Sequence, residues 1–479
     1  MRTDNRWLVL VAMTCSLSMI MLDQTVVSVA LPSMTRDLPL TPSGQQWVVS
    51  AYVLGIAAVV AFGARAAARL GPVTCFRIGV VGFFAASVAC ALAPHGGAGQ
   101  SWLLAARATQ GVGAALMIPV SGTLVMNAFP IAQRGRAMGL YAGISQIFLA
   151  LGPLIGGLLT EHVSWRAVFW LNVPVGLAAL VLVHRAAPDN RRDVTARVRP
   201  AQLALLVAGM AATVLAVQES SQWGWTSVRT VAVLAAGLAL LTLFVFTQLR
   251  DTDPIVAVRM LAGRAFAGNV GIGFAIQFGL LAVVVFTSLY NQNLLHFSPV
   301  VAGASALAVV LPITLASQLG GRWYDRAGVR PPVLTGLVLC LLGMVAWTAA
   351  TPHLQYRDQV PGMILMGLGI GLTISPNNTD ALSCSGPAQR AQASGILQTF
   401  RQLGGTLGVA VLSTVVLGYE HRTPGAAVTP AQHAADAITV GFAAAAAVFA
   451  LALVFGWFFL PRGRRLGAAT GQEPAAALG

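Results

Sequence analysis

Lysine is absent from this chain, and acidic residues are scarce: 15 Asp and Glu in 479 residues, against 29 basic residues that are all arginine. Charged residues make up only 9%, where soluble domains carry about 25%. That scarcity excludes a soluble enzyme. Cysteine is also sparse. Cys15, Cys75, Cys90, Cys340 and Cys384 lie in or at the ends of apolar segments, with no CxxC pair. This excludes a disulfide scaffold and a thiolate metal site and leaves small buried residues. There is no HExxH, no paired metal spacing among the histidines and no Walker A motif. The chain therefore carries no ATP engine of its own. With no nucleophile, metal or cofactor constellation either, the expectation is a protein that is not an enzyme and needs no metal or cofactor.

What is present is apolar. The chain is 56% hydrophobic with a mean hydropathy of +0.75. Apolar runs separated by short polar loops fall at 7–31, 46–66, 73–93, 102–128, 137–160, 167–184, 201–218, 229–249, 265–292, 300–320, 332–350, 361–384, 393–418 and 437–460. Each is long enough to cross a bilayer as a helix, which takes roughly 20 residues. The reading is an all-α polytopic membrane protein of about 14 transmembrane helices, with no room between them for a soluble domain. The first run lacks a small-residue cleavage site and reads as a retained helix rather than a signal peptide.

The net charge of +14 does not point to nucleic acid, because the arginines are placed asymmetrically. One set of loops holds Arg65, Arg69, Arg77, Arg134, Arg136, Arg185, Arg191, Arg192, Arg197, Arg199, Arg250, Arg259, Arg264, Arg322, Arg326, Arg330, Arg390, Arg462, Arg464 and Arg465. The other holds Arg36, Arg166, Arg229, Arg357 and Arg422. Basic loops stay cytoplasmic, so both termini are expected inside.

The chain repeats itself. Gly143–Gly156 aligns with Gly395–Gly408, Gln110-Gly111 with Met366-Gly367, and Arg69-Leu70-Gly71 with Arg326-Ala327-Gly328, all at nearly one offset. Both copies start from the same side, the parallel arrangement of transporter halves. The expected domains are a six-helix half over 1–184, a linker with two extra helices over 185–264, a second six-helix half over 265–461 and a short cytoplasmic tail over 462–479.

One residue stands out. Asp23 interrupts an otherwise apolar first helix, 16 residues past Trp7. That is about 24 Å along a helix, within a hydrocarbon core of ~30 Å. A carboxyl there costs on the order of 3 kcal/mol or more on insertion scales. It is either a proton carrier or a carboxyl neutralised by a neighbouring helix for structural reasons. Arg107, five residues past Trp102, lies about 8 Å from the opposite face. It can pair with Asp23 in the outer half of the core or snorkel to headgroups. Arg401 sits near mid-membrane where the repeat has Leu149. It is a candidate for substrate or an acid partner, or for carbonyls at a helix break. Gln110, Gln146, Gln277, Gln318, Asn377, Asn378 and Gln398 are cavity candidates that could equally be interhelical glue. Glu219, Asp380 and Asp436 read as wetted helix ends.

Leu22-Asp23-Gln24-Thr25-Val26-Val27-Ser28-Val29-Ala30-Leu31-Pro32, Arg107-Ala108-Thr109-Gln110-Gly111, Gly152-Pro153-Leu154-Ile155-Gly156-Gly157, Trp165–Gly176, Gly321–Arg330 and Arg401–Gly405 together resemble the fourteen-helix drug–proton antiporter branch of the major facilitator superfamily. The resemblance covers nearly the whole chain. It implies Asp23 as the proton-linked acid and Arg107 as its partner in proton transfer. It marks Gly143, Gly152, Pro153, Gly156 and Gly157 as the exporter motif. Physically, that segment offers a small-residue contact face and a proline that removes a backbone donor. Asp325, Arg326, Gly328 and Arg330 are implied as a cytoplasmic latch between the halves. The first-half copy over 64–72 has Ala68 where the acid belongs, so the second-half loop should matter more.

The functional expectation is a monomeric, proton-coupled antiporter in a bacterial cytoplasmic membrane. Its partners are a small-molecule substrate, protons and the lipid bilayer. With Asp23 the only deep acid, a multivalent cation is disfavoured and a small lipophilic neutral, zwitterionic or monocationic compound such as an antibiotic is favoured. Gln110, Gln146, Asn377, Gln398 and Arg401 would line the substrate cavity. The alternatives are an importer or facilitator of a metabolite with the same fold, and a membrane sensor that transports nothing.

Overall fold

The computed structural model describes residues 3–186, 190, 199–251, 254, 256–386, 389–422 and 429–463. Arg191, Arg192, Arg197, Arg464 and Arg465, expected in basic loops, lie outside the described residues, as does nearly all of the 462–479 tail.

The described chain is helical and shows no strand. In order the helices are α1 (Thr3–Asp37), α2 (Pro42–Leu70), α3 (Pro72–Ala91), α4 (Gly99–Ala128), α5 (Arg134–His162), α6 (Ala167–Trp170), α7 (Asn172–Ala186), α8 (Pro200–Trp223) and α9 (Val228–Arg250). Then follow α10 (Arg264–Asn293), α11 (Pro299–Ser305), α12 (Leu307–Ala327), α13 (Arg330–Ala350), α14 (Tyr356–Ser383), α15 (Arg390–Arg422) and α16 (Pro430–Phe459). Local chemistry sets several boundaries. The Thr41 hydroxyl accepts from the Gly44 amide at 3.0 Å to cap α2, and Ser227 and Thr429 cap α9 and α16 the same way. Gly71 and Gly328 take φ of +88° and +82° at the α2–α3 and α12–α13 turns, a conformation that costs glycine nothing.

Every expected apolar run falls on helix. Among the described residues, however, 10 helices are long and apolar enough to cross a membrane, or 12 if two bent helices are counted, rather than 14. α12 and α15 fall short because they carry polar and charged residues: Arg322, Asp325 and Arg326 on α12, and Arg390, Gln398, Arg401 and Gln402 on α15. The bent helices are α2, by 55° near Ala61, and α5, by 42° across 150–153. The second bend falls where Pro153 removes the amide donor to the Leu149 carbonyl.

Packing repeats. α1 lies against α5 and α7, α2 against α4, and α3 against α4 and α7; likewise α10 lies against α15 and α16, α12 against α14, and α13 against α14 and α16. Glycine contacts fix the register between the two sets. A Cβ at Gly111 would stand 2.3 Å from the Tyr52 carbonyl, and one at Gly367 2.2 Å from the Val309 carbonyl. Gly113 sits on the Phe83 amide as Gly369 sits on that of Cys340, and Gly156 meets the Val26 carbonyl as Gly408 meets that of Phe278. Close backbone approach at small residues is how helices associate in lipid. Between the two sets, α5 runs along α12 and α2 along α15. α8 and α9 form a hairpin that leans on α2 and α15, and α9 turns Val228, Val231, Leu238, Leu243 and Phe246 outward, as a lipid-facing helix does.

Candidate functional site

Asp23 is fully buried inside the first set of helices, and five elements converge on it. Arg107 of α4 donates from Nη1 to Asp23 Oδ2 at 2.5 Å, with both side chains inaccessible to solvent. The same Nη1 donates to Gln110 Oε1 at 2.7 Å, and Nε donates to the Val48 carbonyl of α2 at 3.0 Å. Gln110 Nε2 donates to Asp23 Oδ1 at 2.9 Å, and Asn172 Nδ2 of α7 reaches the same oxygen at 3.3 Å. Ser87 of α3 accepts from Asn172 at 2.8 Å and from Gln110 at 3.3 Å, and donates to the Phe169 carbonyl at 3.0 Å. The Arg107 guanidinium lies 4.4 Å from the centroid of the Tyr52 ring, a cation–π contact. Its Nη2 has no partner among the described residues.

Arg107 therefore pairs rather than snorkels. The geometry satisfies most donors and acceptors of a buried charge pair, which is what offsets the several kcal/mol of desolvation per ion. Gln110, expected in the cavity, belongs to this network instead. One face of a helix cannot be told from another by a lone glutamine three residues beyond an arginine. Ser87, Tyr52 and Asn172 were not singled out. Asn172 alone had a signal, as the polar residue in Trp165–Gly176, while a serine in an apolar run reads as packing.

Behind the network, between the two sets of helices, lies a cavity of about 460 Å³. Asp23 does not line it, but the next two residues, Gln24 and Thr25, do. Gln146, Gln277, Asn378, Gln398 and Arg401 also line it, among leucines, valines and methionines. Asn377 does not; it is buried against α10 near Gly273, and its Oδ1 has no partner. Gln318 is likewise outside the lining. Among the described residues Arg401 bonds neither an acid nor a backbone carbonyl; its contacts there are Gln277 Oε1 at 3.3 Å and Asn378 Oδ1 at 3.5 Å.

The glycines of the expected exporter motif face two ways. Gly152 and Gly156 pack on Thr25 and Val26 of α1, whereas Gly143 packs across the seam on Thr314 and Ser317 of α12. Gly157 is buried, and Pro153 occupies the bend. The Thr25 hydroxyl donates to the Leu149 carbonyl at 2.8 Å. That carbonyl is the acceptor left without its helical donor by Pro153, so α1 fills the gap made in α5, two residues from Asp23.

At the end of the bundle that holds the N-terminus, Asp325 Oδ1 and Oδ2 accept from the Gly135 and Arg136 amides at 3.0 and 3.2 Å, capping α5 from the other set of helices. A carboxylate at a helix N-terminus is favoured by the helix dipole. Three hydroxyls stitch the same seam: Ser375 to the Gly135 carbonyl, Ser317 to Gly139 and Thr314 to Gly143. Of the other expected latch residues, Gly328 makes the turn, but Arg326 is exposed and bonds no described residue. Arg330 donates to the Trp457 carbonyl at 3.0 Å within its own set of helices. In the first-half copy, where Ala68 replaces the acid, Asn190 accepts from the Val73 and Thr74 amides and caps α3.

Two acids expected at wetted ends are buried. Asp380 accepts from Asn269 at 2.7 Å and Glu219 is 6% exposed, while Asp436 is half-buried. At the opposite end from Asp325, Asp37 pairs with Arg166 and accepts from Trp165 Nε1 at 2.8 Å. The Arg166 hydrogen bond, with smaller help from Trp165 and His95, holds the Asp37 carboxyl below its ordinary value.

Comparison with known proteins agrees with this architecture. Residues 13–409 match the Major Facilitator Superfamily. The chain is 33% identical over 467 residues to the puromycin resistance protein pur8 of Streptomyces alboniger, covering 95% of this chain and 91% of that one. It is 33% identical over 418 residues to the multidrug resistance protein Stp of Mycobacterium tuberculosis, covering 87% and 77%. It is 30% identical over 413 residues to the tetracenomycin C resistance and export protein of Streptomyces glaucescens, covering 86% and 76%. Among solved structures, the proton:xylose symporter XylE superposes with a TM-score of 0.69 at 16% identity, over 97% of this chain and 98% of that one, a likeness of fold.

Proposed function

The chain belongs to the Major Facilitator Superfamily, and from that premise we propose that it is a proton-coupled antiporter. It exports a small lipophilic compound, an antibiotic or drug, across the bacterial cytoplasmic membrane by alternating access. The relatives named for resistance and export support the direction of transport. The observation that carries the coupling is the sealed Asp23–Arg107 pair set back to back with the cavity on one helix.

The bodies that rock are the halves 1–184 and 265–461, with α8 and α9 between them and both termini cytoplasmic. Asp23 takes and returns the proton. Once protonated, it no longer neutralises Arg107, which is left with Gln110, the Val48 carbonyl and the Tyr52 ring. An orphaned buried charge costs about 3–5 kcal/mol, enough to change how α1 is held against α4. The same helix carries Gln24 and Thr25 into the cavity and ties itself to α5 through Thr25. A proton on one face of α1 thus alters the wall that substrate meets on the other. Gln146, Gln398 and Arg401 contact substrate, Gly143 to Gly157 let α5 slide between its two neighbours, and Asp325 locks the cytoplasmic seam.

The test is proton-driven accumulation in everted vesicles, with a panel of antibiotics whose action on an exporter-depleted host is weakened by this chain. Accumulation should collapse in Asp23→Asn and when the pH gradient is dissipated. Undiminished accumulation in Asp23→Asn would falsify the proton assignment.

A further inference from the structure

The cavity between the halves holds one formal charge among its described lining residues, and that charge is positive. Arg401 is a cation, and no Asp or Glu is among its neighbours in the wall. The contrast with Arg107 is direct. Arg107 has a carboxylate at 2.5 Å, whereas among the described residues the guanidinium of Arg401 has only two neutral amide oxygens, at 3.3 and 3.5 Å. These contacts are at the long end for hydrogen bonds. A guanidinium offers five N–H donors in a planar fork that matches a carboxylate, and most of them are unused here. Arg401 is half-buried in this mostly apolar wall, and closing the cavity over it with no opposite charge to meet it is costly.

We infer that the substrate supplies the missing charge: the cavity accepts a lipophilic compound bearing one acidic group, a carboxylate or a phenol or enol ionised at neutral pH, with that group on Arg401. Its apolar body lies against Leu17, Met21, Leu281 and Val284. Gln146, whose Oε1 has no partner, is placed to accept from a hydroxyl or N–H elsewhere on the compound. A lipophilic cation finds no counter-charge, because Asp23 is committed to Arg107 and does not reach the cavity. The assignment rests on the export reading and narrows it. It also fixes the electrical sense of the cycle. For each proton entering against a monoanion leaving, two positive charges move inward, so an inside-negative potential drives export.

The experiment compares three fluorescent probes of one shape on the purified full chain: pyrenebutyrate, its methyl ester and pyrenebutylamine. The acid should bind at least about tenfold more tightly than the ester, the gain expected of a charge-assisted pair, with the amine weakest. Arg401→Gln should erase the acid's advantage, and Arg401→Lys should keep part of it. Equal binding of acid and ester, preference for the amine, or no saturable binding of the acid overturns the inference. The acid–ester comparison on the unaltered chain needs no variant to fold. Proteoliposome flux separates the two readings. Acid preference without proton-driven flux sinks export and leaves this site standing, whereas proton-driven flux of the amine or ester without acid preference does the reverse.

Discussion

In the first half, α1, α2, α3 and α4 bring Asp23, Tyr52, Ser87, Arg107 and Gln110 together. The registers fixed by Gly111 and Gly367, Gly113 and Gly369, and Gly156 and Gly408 place Ala275, Val309, Met344, Met363 and Met366 at the same positions of the second half. All five are buried. The same helix crossings thus pack equally well around a charge network and around three methionines. The scaffold does not need the ion pair, and replacing such a pair by apolar side chains is commonly neutral or stabilising. Its retention on one side points to work other than holding helices together. The converse also holds: the position of Leu149 in the first half carries Arg401 in the second, and the position of Thr25 carries Gln277. The buried ion pair sits inside one half, and the cavity's charge is supplied by the other.

The largest effect should come from making the first half copy the second. Asp23→Ala with Arg107→Met and Gln110→Met should abolish proton coupling. Thermal unfolding in detergent should nevertheless show stability equal to the parent or higher by about 1–4 kcal/mol. Asp23→Asn alone should lose the same activity and about 3–5 kcal/mol, because Arg107 stays behind unpaired. A triple variant less stable than the single one would break the comparison.

Thr25→Val should come next. It strands the Leu149 carbonyl at the Pro153 bend, at a cost of about 1–3 kcal/mol, and should slow transport more than it weakens substrate binding. Transport rate against probe affinity separates those two outcomes.

The Asp325 cap on α5, against the Asn190 cap on α3, is the third asymmetry. Asp325→Asn should weaken the α5 cap by about 0.5–2 kcal/mol and expose the α5–α12 seam to a thiol reagent at the near-isosteric Ser317→Cys, buried in that seam in the parent. Ala68→Asn, which restores no charge, should change that labelling little.

The smallest effect is expected at the rim around Asp37. Its carboxyl is held low in the folded state by Arg166, so its contribution is complete above the ordinary carboxylate value, about 3.9. It is lost as pH falls through the lower folded value. Asp37→Asn should therefore depress the unfolding temperature slightly at pH 7, and the difference should vanish in acid.

The halves, their repeat and the Asp23–Arg107 pairing were legible because they rest on long-range regularities: apolar run length, a constant offset and helical rise. What a polar residue faces was not. Gln110 and Asn377 read from the sequence as cavity residues and Asp380 as wetted, because hydropathy does not say which side of a helix meets a neighbour. The expected count of 14 is not reached by apolar length alone for a related reason: α12 and α15 are helices of the bundle that carry polar and charged residues. Thr25 could have been found by asking which carbonyl Pro153 orphans. Ser87 and Tyr52 left no trace in the sequence, since their role depends on three other helices arriving beside them.

Asp23 as the coupling group is tested most directly in proteoliposomes that report both substrate exchange and proton movement. Asp23→Asn should still exchange labelled for unlabelled substrate across the membrane, while substrate addition no longer moves protons. Proton movement of undiminished size in that variant would contradict the account and place the coupling acid elsewhere.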